Sequence, residues 1–294
     1  MIKKNIWNVS NVSGTSQDSF LTNNVSDTNE SENIIVHTYF KIKSGNSIFL
    51  ADVFKDELNE RDVIRFGGKK KDCIIYSVYW DEDEHRLPNL EGISYDENCT
   101  LDTHFHLERK RGTIKMLKVS LQFLCYLYNS TSGVLFKDTS FMKCLDNIRV
   151  ELSVFYIAKY GKTWYQDKFN ACPYEVADYE KNLDNINSTM DAPLVESFSE
   201  FHDKYIKGKK RGFRKWFPAV KKIYEESHSY REFVKKLHNM TDCSIFDTWL
   251  SYFMKDIGVD KLDLGHIHFI ITRVSIDQWN NDIEIESNVS LETI

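Results

Sequence analysis

The chain has 294 residues, 41% of them hydrophobic and 28% charged, with a formal net charge of −6. That length holds one large domain or two ordinary ones around a sizeable core, and the acidic balance gives no global attraction to nucleic acid or an anionic membrane. Six cysteines are scattered without a CxxC pair, which argues against a zinc finger and predicts buried, reduced thiols such as Cys73 and Cys125.

Residues 1–33 are rich in Asn, Ser, Thr and Asp, and read as a flexible tail, with a short binding motif around Ile6–Trp7 as the lesser alternative. No apolar signal-peptide core and no run long enough to span a bilayer follows, so the sequence predicts a cytoplasmic protein without a membrane partner. From Ile35 strands are expected. IVHTYFKIK alternates Val36, Thr38, Phe40 and Ile42 onto one face, and SIFLADVF follows the turn at Ser44–Gly45–Asn46. CIIYSVYW at 73–80 is a β run of aromatic and β-branched residues, and LEGISYD reads as its antiparallel partner.

A strand is next expected at 99–107, where Leu101, Thr103, Phe105 and Leu107 alternate with Asp102, His104 and His106. After the turn of Arg109, Lys110, Arg111 and Gly112 the period changes. Ile114, Leu117, Leu121, Leu124 and Tyr128 follow three-four spacing and predict a helix buried on most sides. A basic glycine turn leading into a helix N-terminus offers free amides and a dipole to an anion. VLFKD, after the turn cluster at 129–133, reads as a strand parallel to 99–107. Residues 149–160 read as a helix stopped at Gly161.

Beyond 175 helix signals take over. Leu194, Phe198, Phe201 and Tyr205 share a face, Ser229 to Glu232 is a capping-box pattern, and Phe246 to Ile257 forms an amphipathic stripe closed by Gly258. HIHFIITRVSI reads as a last strand, followed by a fraying acidic tail. The expected class is α+β (α/β). A mixed, mostly antiparallel sheet with core helices occupies 34–175, a helical segment 176–258, and a terminal strand and tail 259–294.

Two constellations carry chemistry. His104 and His106 lie two apart on the polar face of their predicted strand beside Asp102, a pattern that suits a general base. A solvated strand face is the plainer explanation; His266 and His268 repeat the spacing, and no third metal ligand is identifiable. Between Lys204 and Lys222, nine basic residues are interleaved with Tyr205, Phe213, Trp216 and Phe217. That composition fits either phosphate contact with base stacking or a solvated connector between helices.

The order of antiparallel strands, basic glycine turn, core helix, parallel strand and second helix resembles the GNAT superfamily of N-acetyltransferases. The resemblance spans about residues 35–175. It is carried by LDTHFHLERKRGTIKMLKVSLQFL, where Arg109-Lys110-Arg111-Gly112-Thr113-Ile114 follows the family's pyrophosphate loop except at its last position, occupied by Ile114 instead of Gly or Ala. FYIAKYGKTWYQDKF resembles the family segment with a Tyr before a Gly, and YGKTWY is also similar to segments of uncharacterised proteins of large DNA viruses. The resemblance implies an acetyl-CoA-dependent N-acyltransferase. Its cofactor would lie on Arg109 to Ile114, with His104, His106 or Glu108 as base and Tyr156 or Tyr160 as acid. The altered loop position leaves open a non-catalytic relative that engages a protein partner through its helical half.

Overall fold

The computed structural model describes residues 9–11, 35–69, 71–80, 87–94, 98–101, 112–144, 148–174, 176–206, 217–241, 243–247, 249–279 and 282–290. Among these residues the fold is α+β, with a nine-stranded, mixed and mostly antiparallel sheet, and helices largely in the C-terminal half.

Alternation builds most of the sheet. β2 (His37–Ser44), β3 (Ser47–Asp56), β4 (Arg61–Gly68), β5 (Lys71–Tyr79) and β6 (Asn89–Ile93) form an antiparallel meander. One face carries Phe40, Ile42, Phe49, Ala51, Ile64, Phe66 and Tyr76, all buried. The other carries charges that neutralise one another. Arg61 bonds Asp56 at 3.0 Å, Arg65 lies 3.7 Å from Asp72, and His37 lies 2.8 Å from Asp52. β4 is not apparent in the sequence pattern, because Arg61, Asp62 and Arg65 interrupt its apolar residues. Its end at Gly67–Gly68 is a close approach, since a Cβ on Gly68 would meet Asn98 O at 2.0 Å.

The apolar face is sealed by α1 (Gly112–Leu127). Phe123 packs on Phe40 and Phe66 with ring centroids 5.2 and 6.4 Å away, and Tyr76 Oη meets Ser120 Oγ at 2.6 Å. At one end of α1, Lys115 Nζ donates to Ser47 Oγ at 2.8 Å. At the other, Tyr128 donates to Asp62 at 2.8 Å. Met116, Leu117, Val119, Leu121, Phe123 and Leu124 are fully buried. Each such side chain contributes roughly 1.5–3 kcal/mol relative to exposure.

α1 crosses from β6 to β7 (Gly133–Phe136), which runs parallel to β6. The parallel neighbour of β7 is therefore 89–93, instead of the expected 99–107, most of which lies outside the described residues. β11 (Phe269–Thr272) pairs antiparallel with the other side of β7, and β10 (Cys172–Pro173) pairs with β11. The last expected strand is shorter than HIHFIITRVSI, because Thr272 caps a short helix over Arg273–Asp277. The acidic tail, expected to fray, instead supplies β12 (Glu284–Ser287) on the β2 edge. Lys43 and Lys41 face Glu284 and Glu286 there, and these pairs give the tail a register.

β8 (Ser140–Lys143) and β9 (Arg149–Glu151) form a second, three-stranded sheet with β1 (Val9–Asn11). Three residues of the expected flexible tail are thus paired. The helix expected over 149–160 begins only at Leu152, as α2 (Leu152–Tyr160), and ends as expected at Gly161, whose φ is 81°. α3 (Trp164–Phe169) follows, with a Thr163–Gln166 capping box.

The helical half contains α4 (Tyr179–Asp191), α5 (Phe198–Phe201), α6 (Phe217–Glu225), α7 (Tyr230–Met240) and α8 (Leu250–Asp256). Its centre is aromatic, with Phe201 within 5.0–5.9 Å of Tyr224, Phe233, Trp249 and Phe253. One buried guanidinium ties three helices together. Arg231 donates to the carbonyls of Ile157 and Ala158, to Asn187 Oδ1 and to Asp191 Oδ1, at 2.6–3.1 Å.

Four of the six cysteines expected as free thiols are paired. Cys73 joins Cys99 with Cα atoms 5.8 Å apart, and Cys144 joins Cys243 at 5.4 Å. Scattered spacing conceals such pairs, since the partners meet only through the tertiary fold. Cys125 is a buried free thiol, as expected, and Cys172 is an exposed one.

Candidate functional site

The feature most suited to hold a ligand is the C-terminal end of the parallel pair β6 and β7. Only Asn89↔Leu135 and Leu90↔Phe136 pair, whereas β6 stays registered with β5 as far as Ile93. β7 ends at its second paired row, so β6 runs on past it. In open α/β arrangements that end is where ligands bind. The crossover brings the first turn of α1 to the same end, as the Lys115–Ser47 bond at the start of β3 records.

Gly112, Thr113 and Ile114 open α1, so the basic turn does lead into a helix N-terminus. Gly112 and Thr113 are buried, and Ile114 is half-buried against the core. Burial pushes the Lys115 ammonium below the ordinary lysine range. His104, His106, Glu108, Arg109, Lys110 and Arg111 lie outside the described residues.

Tyr156 and Tyr160 stand one helical turn apart on α2, with ring centroids 4.8 Å apart. Burial raises the Tyr156 phenol above its ordinary range, with Tyr160 and Asp167 adding to the shift, while Tyr160 is 45% exposed. Between them on the chain, the buried Lys159 places Nζ 2.7 Å from His238 Nδ1 of α7. The same Lys159 Nζ lies 4.8 Å from the centre of the Tyr160 ring.

Sequence reasoning does not single out Asp138. It lies two residues past β7, at the C-terminal end of the parallel pair, and is fully buried. Ser140 donates its backbone N–H and its hydroxyl to Oδ1, while Oδ2 has no hydrogen-bond partner. Desolvation pushes its carboxyl up to about 6, against the opposing pull of the Ser140 bonds. A strand-end Asp followed by a polar residue is too common a pattern to stand out in a sequence.

Of the basic stretch, 207–216 lies outside the described residues. Its flanks are engaged with acids: Lys204 with Asp256 at 2.5 Å, and Lys221 and Lys222 with Glu225 and Glu226 at 3.7 Å. Phe217 packs on Phe198. His266 bonds Asp263 at 2.6 Å, and burial followed by the Lys137 charge lowers His268. Among the described residues no three His, Cys, Asp or Glu side chains are grouped to hold a metal, and no helix is long and apolar enough to cross a membrane.

Comparison with protein-family profiles, with curated proteins and with solved structures finds no match for this chain.

Proposed function

We propose that the chain is a GNAT-like acyltransferase that takes a CoA-type thioester, such as acetyl-CoA, at the C-terminal end of the parallel pair β6 and β7. The observation that carries this reading is the parallel strand–helix–strand crossover, which sets the helix N-terminus at the C-terminal end of β6 and β7. An extended thiol arm would lie past the end of β7, next to a helix N-terminus that favours the pyrophosphate.

In this reading Arg109, Lys110 and Arg111 supply positive charge, and the amides of Gly112 to Ile114 supply fixed donors. An acceptor amine loses its proton to His104, His106 or Glu108. Its nitrogen then attacks the thioester carbonyl, and the carbon–sulfur bond breaks. Tyr156 or Tyr160 protonates the leaving thiolate, Tyr160 being the more accessible of the two.

The test is a thermal shift with acetyl-CoA. A ligand present at a hundred times its Kd adds ~2.7 kcal/mol to stability, so a clear rise in Tm is expected. An unchanged Tm at millimolar acetyl-CoA and free CoA overturns the reading.

The burial of Gly112 and Thr113, with Ile114 packed on the core, favours a second reading. A helix head closed by its own chain suits a non-catalytic relative acting as a protein-interaction module through its helical half. The basic stretch adds weak, sequence-independent nucleic-acid binding to that reading. Mobility shifts at low and physiological salt test it, because phosphate contacts weaken steeply as salt rises.

A further inference from the structure

Both disulfides lie inside the fold. Cys73 and Cys99 are 2% and 0% exposed, and Cys144 and Cys243 are 8% and 4% exposed. Their Cα separations of 5.8 and 5.4 Å fall in the range a disulfide requires without backbone movement. Each joins segments that the chain otherwise brings together only by folding. Cys73 opens the apolar run of β5, and Cys99 lies in the turn packed over Gly68. Cys144 follows β8 in the small sheet, and Cys243 starts the single-turn helix Cys243–Phe246, 99 residues away in the helical half.

Burial has a kinetic consequence. Disulfide exchange needs a thiolate that can reach the donor's sulfur. In the closed fold none of these four sulfurs is open to a protein-sized donor.

We propose that the chain is matured by oxidation while it folds, at Cys73–Cys99 and Cys144–Cys243, by a disulfide-donating oxidant of the kind an oxidising compartment or a dedicated thiol oxidase supplies. In each pair one thiolate attacks the donor disulfide, forming a mixed disulfide and releasing one donor thiolate. The second cysteine thiolate then displaces the remaining donor sulfur and the Sγ–Sγ bond forms. The donor leaves as a dithiol, having gained two electrons and two protons. Cys125, buried on α1, and Cys172, exposed on β10, stay reduced. This chemistry is independent of the acyltransferase reading, and it replaces the reducing environment that the cysteine spacing suggests.

Thiol counting on the wild-type chain tests the proposal. Protein expressed through an oxidising compartment is unfolded in urea with iodoacetamide and no reductant, then digested. The expected result is alkylation at Cys125 and Cys172 only, with 73–99 and 144–243 linked peptides that disappear on reduction. Alkylation of all six cysteines, or linkage in another pattern, overturns it. Expression in a reducing cytosol with and without a co-expressed thiol oxidase separates the two sources, since only a dedicated enzyme restores the links there. A second measurement tests the coupling to folding. The fully reduced chain, refolded without a donor, should melt at least about 5 °C lower than the oxidised chain. Equal melting shows that the fold closes without oxidation and overturns the coupling. Neither measurement requires a Cys144→Ser or Cys243→Ser variant to fold.

Discussion

The sheet half and the helical half bury polar groups by opposite means. Around β2 to β6 the buried face is almost wholly apolar, and charge is exiled to the open face, where each arginine meets an acid. The helical half instead admits charge to its interior, at Arg231 and at Lys159 of the adjoining α2. Arg231, 7% exposed, directs its donors to α2 carbonyls and to two α4 side chains. The first arrangement is stabilised by area and tolerates loss of a surface pair. The second depends on Arg231, because its removal strands several acceptors at once.

The sharpest way to break this contrast is inside each core. Leu121→Asp places an unpaired charge under the sheet and should leave no cooperatively folding protein, as judged by circular dichroism and urea unfolding. Arg231→Ala should cost roughly 3–5 kcal/mol in urea unfolding, well beyond the loss of one ordinary hydrogen bond. Equal and small losses for both would erase the distinction.

Asp138 sharpens it at the boundary. Its folded-state pKa, about 6, is raised above the unfolded value of 3.8. The protonated form therefore favours the folded state. Stability linked to this group is fully present below pH 3.8 and is lost as pH rises through 6. The loss is on the order of 3 kcal/mol, at about 1.4 kcal/mol per unit. Asp138→Asn keeps an acceptor for Ser140 and should flatten this part of the pH profile of Tm. At the small end, Glu284→Gln with Glu286→Gln on the open face should cost under about 1 kcal/mol, since exposed pairs contribute little.

The sequence discloses elements wherever one physical pattern dominates. Ile114 to Tyr128 declares α1 through its spacing, and Gly161 declares the end of α2 through its φ above zero. β4 is hidden because its open-face positions include Arg61 and Arg65 within the apolar run. β12 is hidden because its stability comes from pairing with β2, not from its own acidic residues. The same logic governs the site. Gly112 to Ile114 are legible as a helix head, but their burial is a tertiary fact, and so is the unpartnered oxygen of Asp138. Long-range partners such as Cys144 and Cys243 leave no local trace at all.

The central claim is that a CoA-type thioester binds at the C-terminal end of the parallel pair β6 and β7. Amide hydrogen exchange, followed with and without saturating acetyl-CoA, tests that location directly. The account predicts slowed exchange in peptides covering 89–94, 112–118 and 133–138, with the helical half unchanged. Unaltered exchange in those three peptides, or protection confined to 176–262, would contradict it.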